Sequence, residues 1–423
     1  MIRHVFKIIW NERKSNGWLV LEYILVFCIL WFCCDYLYFI TKRLVEPLGY
    51  DIEHTYKVNM GYRSDEEFLK TFDEDAQPSV YDMTMDFVDR IKRYPGVENV
   101  SVSNCALPFG GNSTASSFNI INSDSSYVYT WMGSVDPAFF DVFRIDIQKG
   151  EVFNWPDPAA SGRQALIAPS ANEEFGAYNV FDVHSVGGSW GESEHAIQVL
   201  GVINKIKRQH YSAYTSVILQ PLKPDQMNLE ELVLRVSPVE DRDFAERFTE
   251  DMKERLTMGR HFLSSVESMK DYRKSSFWGW DNLDKDIKSV YIIVGFLLVN
   301  IFLGIIGTFW FRTQARRSEV GLRIAMGASK RKVKGMLITE SMLLLVISAL
   351  AGVIVCLNIG QTDLIQTLGL PAPHRESYEM TPWNNVINFG ITFLFLAIVS
   401  IAGVWYPARR ASGVQPAEAL HDE

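Results

Sequence analysis

The sequence predicts a membrane protein with four transmembrane α-helices and a large α+β domain outside the membrane. Three observations predict this class. Four apolar runs of about 20 residues, long enough to cross a bilayer, occur in a chain of 423 residues. About 250 residues with no such run separate the first from the second. That stretch alternates between strand-like and helix-like patterns, which is typical of a folded α+β domain.

The predicted spans are separated by segments of very different composition. We predict spans at 18–40, 290–311, 336–357 and 386–405. The segments around them are 1–17, 41–289, 312–335, 358–385 and 406–423.

Charge sets the orientation of these segments. Residues 312–335 contain eight Lys or Arg and one acid, and short loops of that kind stay on the cytoplasmic side of a membrane. This places 406–423 and the amino terminus in the cytoplasm, and it places 41–289 and 358–385 outside. The chain has a net charge of −9, so its acidic surplus falls on the outer part, which argues against nucleic acid as a partner.

The first 17 residues mix apolar and basic side chains. The spacing of Ile2, Val5, Phe6 and Ile9 favours an amphipathic helix on the inner membrane surface, which makes lipid a partner. The alternative is the basic segment of a signal peptide, but no cleavage site of the A-x-A type follows.

Two acids lie in the first span. Glu22 and Asp35 are near its ends, so we expect their carboxylates to reach the membrane surface. A functional carboxylate inside the bundle is the alternative. Because charges elsewhere in the spans are scarce and lie near the ends, the bundle is expected to transmit force rather than conduct a polar solute.

The outer segment is predicted to contain two β-α-β units. They cover about 53–104 and 229–267, and they flank a β-rich insert at about 105–228. The two units form either two small sheets or one shared sheet. Residues 268–289 are polar and helix-prone, which predicts a stalk, although Trp278 and Trp280 instead suit a membrane interface.

The residues show no catalytic or metal-binding pattern. There is no P-loop, H-E-x-x-H, paired C-x-x-C or G-x-S-x-G, so we predict that the chain is not itself an enzyme and carries no cofactor or metal. Acid and histidine neighbours at 192–195 and 374–376 are interpreted as solvated loop residues. Cys105 is the one cysteine outside the predicted spans, so no disulfide is expected in the outer domain.

The segment 312–335 has structure of its own. Ser318 is predicted to cap a short helix, with Glu319 in its first turn, and Gly327 is predicted to end it. A second helix is expected to begin at Ala328 and Ser329 and to enter the membrane. Such a helix is a docking surface for a protein or for lipid headgroups, and a loop that merely sets topology is the alternative.

The run S-E-V-G-L-R-I-A-M-G-A-S, residues 318–329, resembles the signature of the FtsX-like permease family, which includes MacB. Ile324 departs from it, since the family usually has a basic residue there. In that family this segment is the coupling helix that contacts a separate ATPase subunit. The residues that the resemblance assigns to this contact are Ser318, Glu319, Gly321, Arg323, Gly327 and Ala328.

The tail, P-A-R-R-A-S-G-V-Q-P-A-E-A-L, resembles the carboxyl-terminal pattern of the same family. Among the matching positions are Pro407, Pro416, Glu418, Ala419 and Leu420.

The resemblance implies a multi-pass inner-membrane permease with a periplasmic domain, both termini in the cytoplasm, and ATP and Mg²⁺ bound by a partner ATPase. It also implies a second permease subunit, identical or related, and allows a periplasmic adaptor or an outer-membrane factor. The function expected from it is export or mechanotransmission. The alternative is an FtsX-like scaffold or sensor that regulates an extracytoplasmic partner such as a cell-wall hydrolase.

Overall fold

The structure is a computed structural model. It describes residues 13–65, 77–111, 114–120, 128–155, 164–168, 186–188, 198–210, 212–214, 216–279, 283–315, 317–360 and 382–411. The chain divides into two compact units. One, the membrane unit, contains residues 1–42 and 284–423, and the other, the α+β domain, contains residues 43–283.

The α+β domain is built on two β-α-β units. The first consists of β1 (Thr55–Tyr62), α2 (Val80–Lys92) and β2 (Val97–Asn104), where α2 is numbered after the helix α1 (Arg13–Val45). The second, which follows β3 to β9, consists of β10 (Leu232–Val236), α4 (Phe244–Met252) and β11 (His261–Ser268). Their strands pair antiparallel in the order β11-β1-β10-β2, so the units share one sheet.

Both helices of these units are amphipathic and cover the same core. Ser79 caps α2 by accepting a hydrogen bond from the Asp82 amide at 3.1 Å. Pro95 and Gly96 follow α2, and Gly96 has a φ of +85°, which glycine adopts without strain. The buried face of α2 and that of α4 contact one cluster of strand side chains. Its helical members are Met83, Phe87, Val88, Ile91, Phe244, Phe248 and Met252.

The insert continues this sheet. β2 pairs with β4 (Val128–Val135) at Ser103 and Asn104, which extends the order through β9 (Val217–Pro221), β6 (Gln164–Ala168) and β8 (Gln198–Ile203). β5 (Ile147–Gly150) pairs with β8 at the end of this order. β3 (Thr114–Ile120) pairs with β4 and with β7 (Val186–Gly188).

The insert also contains a helix that the sequence pattern does not predict. α3 (Ala138–Phe143) follows β4, and its side chains at Phe139, Phe140, Val142 and Phe143 are all buried. These side chains belong to a second hydrophobic core of the α+β domain.

The segment predicted as a stalk is in part packed against the sheet. α5 (Met269–Gly279) follows β11 directly, the Met269 side chain is fully buried in the second core, and the Tyr272 side chain packs against that core. The first turns of α5 therefore belong to the α+β domain, because apolar residues on one side of the helix find partners there. Residues 280–282 lie outside the described residues.

The membrane unit contains helices longer than the predicted spans. Besides α1 they are α6 (Leu283–Ala315), α8 (Lys330–Gly360) and α9 (Pro382–Ala411), with the short α7 (Arg317–Ala325) between α6 and α8. Within the described residues, four helices are long and apolar enough to cross a membrane. The segments 1–12, 361–381 and 412–423, parts of the predicted amino-terminal helix, outer loop and tail, lie outside the described residues.

One expectation about the spans is wrong. The Asp35 carboxylate does not extend outward from the bundle: its side chain is 1% exposed, and it accepts a hydrogen bond from the Asn388 side chain of α9. The partner lies 353 residues away in the chain, so local position in the span did not reveal it. A polar contact of this kind fixes the register between two helices where water is absent.

Candidate coupling site

The site is a helical corner between α6 and α8. α7 begins at Arg317, so Ser318 lies inside its first turn and is not the N-cap that the sequence predicted. Glu319 follows it in the same turn. The segment 312–335, predicted as a loop, is helical over most of its length, because α6 continues to Ala315 and α8 already begins at Lys330.

Gly327 ends α7 as predicted. Its φ is +93°, the Gly327 amide donates to the Ile324 carbonyl at 3.0 Å, and the Ala328 amide donates to the Arg323 carbonyl at 3.0 Å. This is the Schellman arrangement, which satisfies the last carbonyls of a helix when a glycine follows in the left-handed region.

Two residues later the chain starts α8. The Ser329 side chain accepts a hydrogen bond from the Lys332 amide at 3.3 Å, so Ser329 caps α8. Only Met326, Gly327 and Ala328 separate the last residue of α7, Ala325, from Ser329, the cap of α8. The connection between α7 and α8 is therefore short and hydrogen-bonded.

The inner side of the corner is packed. Val320 and Val333 are buried, Gly321 is buried, and the Arg323 guanidinium lies 2.9 Å from the Met336 sulfur of α8. Arg323 therefore contacts the membrane helix with at least one of its donors. A substitution of Arg323 would therefore change this contact inside the corner as well as any contact with a partner.

The outer side of the corner is apolar and open. Leu322 is 50% exposed and Met326 is 72% exposed, and these side chains are four residues apart on one face of α7. Lys330, Arg331 and Lys332 at the start of α8 are also exposed. The outer surface of the corner therefore combines exposed apolar side chains with a cluster of cations.

The carboxyl-terminal end of α9 lies beside the start of α8. The Lys334 ammonium lies 4.6 Å from the centroid of the Trp405 ring, and the Arg409 guanidinium lies 5.3 Å from the same centroid. The next residue, Arg410, has its guanidinium 4.8 Å from the centroid of the Trp310 ring of α6. These cation–π contacts connect α6, α8 and α9 at the end of the bundle that carries the corner.

Of the tail residues that the sequence singled out, the structure places Pro407 inside α9, where it is buried. The others, at 416 and 418–420, lie outside the described residues, as do the acid and histidine neighbours at 192–195 and 374–376. Among the described residues, no group of three or more His, Cys, Asp or Glu is placed to hold a metal ion.

Comparison with known proteins agrees with the geometry of the membrane unit. A sequence model of the FtsX-like permease C-terminal domain matches residues 291–416, which contain the corner and three of the four long helices. This match defines the class of the membrane unit as an FtsX-like permease domain.

Curated relatives extend the similarity into the α+β domain. The chain is 23% identical over 299 residues to the macrolide export ATP-binding/permease protein MacB 1/2 of Paracoccus denitrificans. The aligned residues are 68% of this chain and 41% of that protein. It is 23% identical over 306 residues to MacB of Bradyrhizobium diazoefficiens, which covers 69% and 43%. The chain thus spans less than half the length of these relatives. Together with the domain match, they make the chain similar to MacB/FtsX-like permeases.

Solved structures match about half of the chain. The periplasmic region of MacB from Actinobacillus actinomycetemcomitans matches with a TM-score of 0.34 and 12% identity, covering 55% of this chain and 96% of that one. A domain of a putative permease from Porphyromonas gingivalis matches with a TM-score of 0.34 and 16% identity, covering 52% and 93%.

Proposed function

We propose that this chain is the permease subunit of a MacB-like ABC transporter and that a separate ABC ATPase docks on α7. The observation that carries the proposal is the corner: a short helix with an exposed apolar pair, Leu322 and Met326, joined without slack to a membrane-spanning helix. The match of residues 291–416 to the FtsX-like permease domain supports it.

The proposed mechanism is the transmission of a movement. When the ATPase closes on ATP, it displaces α7, and the hydrogen-bonded turn at Gly327 passes the displacement to α8. α8 packs against α9 and α1 in a common core. α1 and α6 are the helices that continue in the chain into the α+β domain, so the movement reaches that domain as work on a substrate or partner.

The proposal assigns sides and partners. The corner, the amino terminus and the tail face the cytoplasm of an inner membrane, and the α+β domain faces the periplasm, because the basic residues are concentrated at the corner. ATP and Mg²⁺ bind the ATPase. A second permease chain, identical or related, completes the complex, and a periplasmic adaptor or an outer-membrane factor extends it when the work is export.

The experiment is co-purification of the ATPase with corner variants. We expect Met326→Asp and Leu322→Asp to reduce the ATPase retained on the permease at least tenfold, because each buries an unpaired carboxylate in the contact. Val239→Asp is the matched control, since Val239 is an exposed apolar residue of the α+β domain. Arg323→Glu is expected to weaken retention as well.

Undiminished retention by both corner variants, at normal membrane levels, would count against the proposal. The second candidate function is an FtsX-like scaffold or sensor. It is favoured by the size of the α+β domain, which is more than half of the chain. If the scaffold function is correct, an extracytoplasmic partner should stay bound to the permease when the ATPase gene is deleted.

A further inference from the structure

Two tryptophans and three cations lie together where the bundle ends beside the corner. The Lys334 ammonium and the Arg409 guanidinium both lie against the Trp405 ring, at 4.6 and 5.3 Å from its centroid. The Arg410 guanidinium lies 4.8 Å from the centroid of the Trp310 ring. All five residues belong to the membrane unit, and we call them the basic aromatic cluster.

The basic aromatic cluster concentrates positive charge. Within the described residues, Lys334 and Arg410 make no ion pair. A cation–π contact holds an ammonium or a guanidinium, but the ring supplies no net negative charge. The two cations on the Trp405 ring repel each other, and this repulsion is larger at a protein surface beside a bilayer than in bulk water. An anion bound at the cluster would offset it.

The cluster also offers hydrogen-bond donors. The side chains of Arg409 and Arg410 are exposed, and that of Lys334 is partly exposed. An ammonium has three N–H donors and a guanidinium has five, and the face of an indole ring is not an oxygen acceptor. Phosphate oxygens suit these donors, because a guanidinium binds a phosphate through two parallel hydrogen bonds.

The surroundings of the cluster are aromatic and open. The ring of Tyr406 stacks on that of Trp310 with the centroids 6.2 Å apart, and Tyr406, Trp405 and Phe311 are exposed. These residues lie towards the ends of helices that are long and apolar enough to cross a membrane. Trp and Tyr side chains at such positions lie at the headgroup level of a bilayer. A phosphate at that level is the phosphate of a lipid.

We propose that the basic aromatic cluster binds the headgroup of an anionic phospholipid. The lipid phosphate contacts Lys334, Arg409 and Arg410, and the acyl chains follow the apolar surface of the helices. A zwitterionic lipid binds less tightly, because its own cation is repelled by the cluster. In the orientation proposed above, this lipid lies in the cytoplasmic leaflet. The site needs no ATPase, so this proposal and the proposed function can fail separately.

The test is competition binding to the full chain in a neutral detergent, with radiolabelled phosphatidylglycerol as the probe. The competitors are phosphatidylglycerol and phosphatidylcholine with identical acyl chains. We expect phosphatidylglycerol to compete about tenfold or more better, because each basic side chain near a membrane surface contributes about fivefold to binding an anionic lipid. Millimolar inorganic phosphate should not displace the probe, since a free anion lacks the contacts of the acyl chains.

Variants assign the residues. Lys334→Met and Arg410→Gln should each weaken phosphatidylglycerol binding about fivefold and leave phosphatidylcholine binding unchanged. Lys332→Met is the matched control, because Lys332 is an exposed cation of α8 that contacts no aromatic ring within the described residues. It should leave both affinities unchanged.

Equal affinity for the two lipids would overturn the proposal. Displacement of the probe by millimolar inorganic phosphate would also overturn it, since the site would then be one for free anions. If Lys334→Met and Arg410→Gln lower the ATPase retained on the permease but keep the full lipid preference, a protein and not a lipid occupies the cluster. The comparison of lipids on the unaltered chain decides the matter even if a variant does not fold.

Discussion

Replacing Glu231 tests how the loop of residues 105–111 is held. Glu231→Gln keeps the size of the side chain and removes its charge. One oxygen can still accept from Ser103, Ala106 and Leu107, as Oε2 does now. The new amide nitrogen then faces the Cys105 N–H, a donor against a donor, in place of the present hydrogen bond at 3.1 Å.

The structure sets the size of the effect. A hydrogen bond to a charged group contributes about 1.5–3 kcal/mol, and a buried N–H left without an acceptor costs a similar amount. Because 1.4 kcal/mol corresponds to a factor of ten, local opening of the loop should rise about ten- to a hundredfold.

The assay is hydrogen exchange of the full chain, measured by mass spectrometry. Amides of Cys105, Ala106 and Leu107 should lose protection by that factor in Glu231→Gln. Glu230→Gln is the matched control, because it removes the same charge one position away and its carboxylate does not accept from these amides. Equal exchange in Glu231→Gln and the unaltered chain would refute the reasoning.

Three further predictions concern single positions. Burial raises the pKa of Asp136 to about 6 from 3.8, so ionisation of this carboxyl destabilises the folded chain. The destabilisation is absent at low pH, grows as the pH rises through that interval and reaches at most about 3 kcal/mol at neutral pH. Asp136→Asn should therefore raise the Tm at about pH 7.5 and hardly change it at about pH 4. Gly327→Ala should destabilise the corner by about 1–2 kcal/mol because φ is +93°, whereas Gly335→Ala, in open space on α8, should be neutral or stabilising in the same thermal assay. A Cβ at Gly352 would lie 2.6 Å from the Phe27 ring, so Gly352→Ala should lower the Tm of the purified permease and Gly390→Ala, in open space, should not.

The two β-α-β units could be predicted because each shows its own period. α2 has apolar residues on one face and is followed by Pro95 and Gly96, and the segments of β1 and β11 show strand patterns in the sequence. The order of the strands could not be predicted, because β10 pairs with β1 and β2 across more than 100 residues and local patterns do not encode such pairing.

The misses have physical causes. In α3 four of the six residues are buried, and a helix this short shows no extended polar face by which it could be recognised. The buried position of Asp35 could not be predicted from its own span, because its hydrogen-bond partner, Asn388, lies in another span. At the corner, Gly327 and Ser329 could be predicted from residue type, whereas the exposure of Leu322 and Met326 depends on which face of α7 packs against α8.

The central claim is that α7 lies in the cytoplasm and contacts an ATPase. The most direct measurement is photo-crosslinking in intact cells, with a photoreactive residue at Met326 and, as the reference, at Tyr62, an exposed residue of β1. The account predicts an ATPase adduct from Met326 and none from Tyr62. An ATPase adduct from Tyr62, or labelling of a Met326→Cys chain by a thiol reagent that cannot enter the cytoplasm, would contradict it.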